Sequence, residues 1–583
     1  MPEFKNPQQE PGTERRVLLV FLLTFAVIVL FQAVLKKFPA PPPTPTASET
    51  HTPAPTATPA PGTASPPRQA ATSPIAGAKQ ASAESEIVIE NDLYRITFTN
   101  RGAQVKSWVL KKFEDEHGRP LELVNRLAAE KYGFPLSLWT YEESQRNQLN
   151  SVLYVASASG TLSTPATLTF EYADQDESVR KVFHFDDTYP VGLETSVFVN
   201  GSEISALPMW PAGFGDQTTP AGYAASRIET QFNSTIDRIP FKKVSGGNTL
   251  RGPFNWVGVA DQYFAAVFLA DNSEDTVAVT LRNPIDVPKD PNRPQDTVRV
   301  EALGFAAGDL GRVTRGRIFV GPKALKTLES VSVPTITGAE PDLRGLINFG
   351  FFGVIARPLF IWLRWTYSAK YIGVHNWGWA IVVQTLIINL ALLPLRVSSM
   401  KSALKMQKIQ PQMNAIKEKY KKYNIRDSRR QEMNTEIGEL MKQHGVSPVG
   451  GCLPMLIQMP FLFAYYSMLG SALDLRHAPW LWIRDLSSPD PYHLLPIAII
   501  ITGLITQRMT PQAGIDPSQQ KMMNLMMPVM FGVISFNLAA GLCLYWMEGS
   551  LIAIVQQALM NRTGLGQEMR ALALKRARKR EKK

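Results

Sequence analysis

Gln384, Thr385 and Asn389 stand in the middle of residues 381–394, a stretch long and apolar enough to lie in a membrane. A polar side chain in hydrocarbon is costly unless it faces protein or a water-filled cavity, so the three mark either a functional wall or interhelical hydrogen bonding. Their amides and hydroxyl can bind a passing polypeptide backbone, but none of them is a nucleophile or titrates. Two further polar residues sit in apolar stretches: Gln458, whose plainer role is a helix-packing hydrogen bond, and Glu548. A carboxylate there has to be protonated, hydrated or paired, unless it snorkels to an interface. The histidines, among them His375, His444, His477 and His493, stand singly, and Cys452 and Cys543 have no metal-ligand neighbour. No nucleophile, acid–base pair or metal cluster is legible, so no enzyme, metal or cofactor is expected. A secondary transporter would show internal repeats in matching halves, and the chain has none.

The elements that position these residues follow from hydropathy and charge. Directly after Pro394 comes a basic segment with Arg396, Lys401, Lys405, Lys408, Lys417, Lys419, Lys421, Lys422, Arg426, Arg429, Arg430 and Lys442. The positive-inside rule makes it cytoplasmic. Lys401, Lys405 and Lys408 share one helical face, Ser428 with Gln431 reads as a capping box, and Gly445 followed by Pro448 as a stop. A helical hairpin is therefore expected. Residues 17–35 form an apolar run of roughly the twenty residues a bilayer requires, without a small-residue cleavage site, which reads as a retained anchor.

Six spans are expected in all, at 17–35, 376–397, 450–470, 492–509, 521–540 and 541–560. With the hairpin (398–446) inside, the N-terminus (1–16), the loop 510–520 and the basic tail (561–583, with Lys579 and Arg580) are cytoplasmic, and the loop 471–491 lies outside. The net charge of +11 is concentrated in the hairpin and tail, where anionic lipid, ribosomal RNA or acidic peptide could bind.

Between the first two spans, residues 36–85 are a Pro/Ala/Thr-rich tether that cannot bury a core. From 86 to 341 the texture changes to short alternating runs such as Tyr94-Arg-Ile-Thr-Phe and Val277-Ala-Val-Thr-Leu, which predict a large external antiparallel β-sandwich with a helix near 322–330. Residues 343–371 interleave Arg344, Arg357, Arg364 and Lys370 with Trp362, Trp365, Tyr367 and Tyr371, the profile of an amphipathic interfacial helix; a seventh span is the rival reading.

Six motifs now occur in order: Asn91-Asp-Leu-Tyr-Arg-Ile-Thr-Phe, Trp256-Val-Gly-Val-Ala-Asp-Gln-Tyr-Phe, His375-Asn-Trp-Gly-Trp, Gly450-Gly-Cys-Leu-Pro-Met-Leu-Ile-Gln-Met-Pro, Asp516-Pro-Ser-Gln-Gln-Lys-Met and Gly541-Leu-Cys-Leu-Tyr-Trp. Together with Gln410-Pro-Gln-Met they resemble the YidC family of membrane-protein insertases, in its Gram-negative form with a large periplasmic domain. The resemblance implies a multi-pass inner-membrane protein without small-molecule substrate, whose partners are nascent membrane proteins, the ribosome, the Sec translocon and the lipid bilayer. It also implies a hydrophilic groove open to cytoplasm and lipid. The groove positions would be Gln384, Thr385, Asn389, Arg396, Gln458, Tyr545, Trp546 and Glu548. Met459, Pro460, Val529 and Ile534 would form an apolar slide, and Lys401, Lys405, Lys408, Lys579 and Arg580 would recruit partners in the cytoplasm. Met522, Met523, Met526, Met527 and Met530 suit varied apolar helices, although ordinary packing explains them too.

One departure stands out. The family carries an arginine where this chain has Asn389, and the nearest replacement, Arg396, lies two helical turns on, about 10 Å toward the cytoplasm along a straight helix.

Overall fold

The computed structural model describes residues 75, 77–233, 235–289, 293, 295–310, 313–333, 342–368, 373–420, 423, 429–446, 453–509, 517–564, 566–568 and 571. The expected first span, most of the tether, Cys452, and Lys579 and Arg580 lie outside these residues, as do the side chains of Met522 and Met523.

The alternating runs form strands because each places its apolar residues on one side. In Tyr94–Thr99, Tyr94, Ile96 and Phe98 are buried while Arg95 is exposed. Three sheets result. A ten-stranded sheet runs from Thr235–Pro240 through Arg227–Phe232, Trp256–Ala260, Phe264–Ala270, Thr314–Pro322, Pro190–Val199, Glu177–Phe185 and Ala166–Ala173 to Val155–Ala156, with Ser202–Glu203 paired beside Pro190–Val199. Two five-stranded sheets pack against it through one continuous core and meet each other where Trp108 and Trp210 touch edge to face at 6.3 Å. The pairing is antiparallel, as expected, except that Glu86–Glu90 runs parallel to Gly160–Ser163. The expected helix near 322–330 is the short Leu325–Glu329.

A lysine lies inside this core. Lys181 is fully buried and donates to the carbonyls of Gly102 (2.7 Å), Ala103 (3.1 Å) and Leu136 (2.9 Å). All three acceptors have left-handed backbone, with φ of 66°, 47° and 62°, so the ammonium satisfies carbonyls that no strand ladder reaches.

Eight longer helices follow, labelled in chain order: α1 (Gly353–Ser368), α2 (Trp377–Ala391), α3 (Leu393–Lys419), α4 (Arg429–Gln443), α5 (Leu453–Ser471), α6 (Leu494–Met509), α7 (Pro517–Ser535) and α8 (Ala540–Arg562). The helix α1 buries Ala356, Leu359, Phe360 and Leu363 and turns Val354, Ile361 and Trp365 outward, so it has two faces. It is shorter than the expected 343–371, because residues 343–346 and 350–352 are separate 3-10 turns.

The Asn376 side chain caps α2 by accepting from the Trp379 amide at 3.1 Å. The expected second span then bends by 47° into α3. Pro394, in the first turn of α3, cannot donate a helical hydrogen bond, so the axis turns there. By length and composition, among the described residues, α8 is long and apolar enough to cross a membrane, the α2–α3 pair passes the same test when taken as one bent span, and α6 (16 residues) and 524–535 of α7 are shorter apolar helices.

The loop 471–493 packs on the β domain. Arg476 sits over the rings of Tyr263 and Phe264 while pairing with Glu116 at 3.5 Å, and at the end of α5 the Gly470 carbonyl accepts from Gln262 Nε2 at 2.8 Å. Behind Tyr263, Asp216 and Asp261 are buried together; burial first, and each other's charge second, raise Asp216 above the ordinary carboxylate range. At the opposite end, Met400 and Leu404 of α3 pack with Met560 of α8, and Lys408 pairs with Glu568 at 2.6 Å. The hairpin is formed by α3 and α4, with Gly445 in left-handed backbone past its end.

Candidate functional site

The polar residues of α2 meet those of α5 and α8 in one wall. Gln384, Thr385 and Asn389 are each 0% exposed. Gln384 Nε2 donates to the Leu359 carbonyl of α1 at 2.9 Å, and Gln384 Oε1 accepts from the Tyr465 hydroxyl of α5 at 2.5 Å. Tyr465 stacks on Tyr545 of α8, ring centroids 4.0 Å apart and planes 12° apart, and the Tyr545 hydroxyl accepts from Gln458 Nε2 at 3.0 Å. A hydrogen-bonded path thus runs from α1 through α2 and α5 to α8.

Deeper along α2 the same pattern repeats. Asn389 Nδ2 donates to the Thr385 carbonyl at 2.9 Å, the Asn389 carbonyl accepts from Gln556 Nε2 of α8 at 3.2 Å, and Asn389 Oδ1 accepts from Arg396 Nη2 at 3.0 Å. The 47° bend and the length of the arginine side chain close the separation that a straight helix would impose. The guanidinium therefore reaches the asparagine that stands at the family's arginine position. A Cβ on Gly549 of α8 would lie 3.9 Å from Asn389 Nδ2, so α8 passes directly over this amide.

Comparison with known proteins agrees with this architecture. Residues 86–362 match the family model described as the YidC periplasmic domain, and residues 367–567 match the one described as the 60Kd inner membrane protein. The membrane protein insertase YidC of Geotalea uraniireducens is 34% identical over 499 residues, covering 82% of this chain and 87% of that protein. The chain belongs to the YidC family of membrane protein insertases. The YidC of Geobacter metallireducens is 31% identical over 582 residues, 94% of this chain and 98% of that protein. Among solved structures, an active YidC insertase with its first transmembrane domain resolved covers 84% of this chain and 95% of that one at 19% identity and a TM-score of 0.34. Like its family, the chain is an inner membrane protein.

Of the expected YidC positions, hydrogen bonds join Thr385, Asn389 and Arg396 in one group and Gln458 with Tyr545 in another, and Gln384 reaches the second group through Tyr465, which stacks on Tyr545. Trp546 is half-buried and meets Phe531 of α7 edge to face at 4.9 Å. Glu548 is half-buried; the Thr385 hydroxyl faces its carboxyl, and its Oε2 is buried without a hydrogen-bond partner. On the slide, Met459 and Pro460 are half-buried in α5, while Val529 and Ile534 face outward from α7 beside Leu525 and Val533. Lys401, Lys405 and Lys408 are exposed along one face of α3, and Lys401 also lines an open depression at the α2–α3 bend with Leu390, Leu393, Pro394, Val397 and Ser398.

Two members of the wall were not anticipated, Tyr465 and Gln556. Helical spacing carries the signal for both: Tyr465 lies seven residues after Gln458, and Gln556 eleven after Tyr545, each on the same face as its predecessor.

Proposed function

We propose that this chain inserts nascent membrane proteins, presenting the polar wall of α2, α5 and α8 to the segment that must cross and the outward apolar faces of α5 and α7 to the helix that stays. The wall supports this reading because it gathers amides, hydroxyls, a guanidinium and a carboxyl within apolar helices. At a helix centre a charged residue costs roughly 2.5 to 3.5 kcal/mol on insertion scales, so a polar, hydrated path shortens the hydrocarbon barrier substantially. Met459, Pro460, Val529 and Ile534 then serve as the slide. No bond is made or broken, so the role is that of a non-catalytic machine.

The topology that fits is multi-pass with both termini cytoplasmic. The docking of the loop 471–493 on the β domain favours one common outer side, and the Lys408–Glu568 pair favours a common inner side for hairpin and tail. The exposed lysines of α3, continued by Lys579 and Arg580, suit a ribosome, and the Sec translocon is the natural neighbour for longer substrates.

Protease protection of a substrate's translocated segment, in membranes bearing each variant, tests the reading. Asn389→Leu removes the acceptor that holds Arg396 and is expected to impair insertion, whereas Asn389→Arg is tolerated. Full activity of Asn389→Leu combined with Arg396→Ala overturns the placement of the site.

A further inference from the structure

Resting on the insertase reading, we propose that Glu548 determines specificity in this chain, receiving a lysine or arginine of the incoming segment as it passes the wall. Four observations carry the assignment. First, Glu548 Oε2 is buried and has no hydrogen-bond partner. Second, among the described residues no cation lies within ion-pair distance of its carboxyl; the cation of the same wall, Arg396, is engaged by Asn389 Oδ1 at 3.0 Å. The carboxyl and the guanidinium thus do not pair with each other.

Third, the group set against the Glu548 carboxyl is a neutral hydroxyl, that of Thr385 on α2. Fourth, Glu548 follows the face of α8 on which Leu551, Val555 and Leu559 are exposed, at spacings of three, seven and eleven residues. The carboxyl therefore borders the exposed apolar side of α8.

A buried carboxylate with one unsatisfied oxygen gains most from a ligand that brings both a positive charge and a donor, which an ammonium or a guanidinium does. A segment carrying Lys or Arg exchanges its own desolvation cost for this pairing. A neutral segment gains nothing from the charge, and an acidic one is repelled. The chain accordingly favours substrates whose translocated segment is basic, and Arg396, held back by Asn389, offsets this preference less than a free guanidinium would.

The test uses the full-length protein in vesicles of phosphatidylethanolamine and phosphatidylglycerol. Three versions of one single-span substrate carry two lysines, two glutamines or two aspartates in the translocated segment. The readout is the ratio of protease-protected basic substrate to protected neutral substrate. Glu548→Gln keeps size and hydrogen bonding but removes the charge, and is expected to lower that ratio about tenfold, the equivalent of about 1.4 kcal/mol. Glu548→Lys is expected to invert the order, with the acidic substrate protected best. A ratio that Glu548→Gln leaves within twofold of the parent overturns the inference, because a packing role would depress all three substrates together. Parent vesicles that protect none of the three above empty vesicles overturn the insertase reading itself, and this inference with it.

Discussion

Lys181 in the β domain and Glu548 in α8 are both ionisable side chains with atoms shut away from water, and they are treated in opposite ways. The ammonium of Lys181 meets three carbonyls within hydrogen-bond distance, each from a residue in left-handed backbone. Glu548 keeps one oxygen without a partner. A satisfied buried charge fixes the surrounding chain in one arrangement, whereas an unsatisfied one stores an interaction for something that arrives later. At these two positions the β domain spends its polar group on holding the chain, and the helical wall keeps an acceptor open.

The sharpest way to break this contrast is Lys181→Met, which leaves the Gly102, Ala103 and Leu136 carbonyls without a donor inside the core. A loss of about 3–5 kcal/mol is expected, read as an earlier thermal transition of the full chain in detergent. An unchanged transition would mean that the lysine is not the staple described. A smaller effect is expected from Tyr465→Phe, which strips the hydroxyl from Gln384 Oε1 while keeping the stack on Tyr545. About 1–3 kcal/mol of local stability should go, seen as faster amide hydrogen exchange in α2 and α5 with the β domain unaffected. Equal acceleration in both regions would erase the distinction between them.

The smallest effect concerns Asp216 and Asp261. Their burial raises the pair above the unfolded carboxylate value, so the folded state binds a proton that the unfolded chain has already released. The contribution to stability is full in acid and is lost as pH rises through the raised value. Asp216→Asn should flatten the dependence of the unfolding temperature on pH over that interval. Identical slopes for parent and variant would show that this pair does not set it.

Much of the architecture was legible in residue order. Period-two runs at Tyr94–Thr99 and Thr276–Pro288 mark strands because one face of each is buried, and the aromatic and basic residues around Trp362 mark α1 because an interfacial helix needs both kinds. The polar residues of the wall were visible as interruptions of apolar stretches. Their partners were not, because Tyr465 and Gln556 look like ordinary members of their helices until α5 and α8 are laid against α2. Hydropathy marked the apolar stretches, and the structure sets the helix lengths within them, 16 residues for α6 and 524–535 for the apolar part of α7.

Composition and order by themselves determined the β domain, the basic hairpin and the polar interruptions, because hydrophobic periodicity and charge placement act locally. Tertiary structure decided the rest. The bend at Pro394 returns Arg396 to Asn389, the tyrosine stack ties α5 to α8, and the packing of α8 over α2 leaves Glu548 with an open acceptor. Whether a buried polar atom is satisfied depends on which helix lies opposite it, and that is a property of packing.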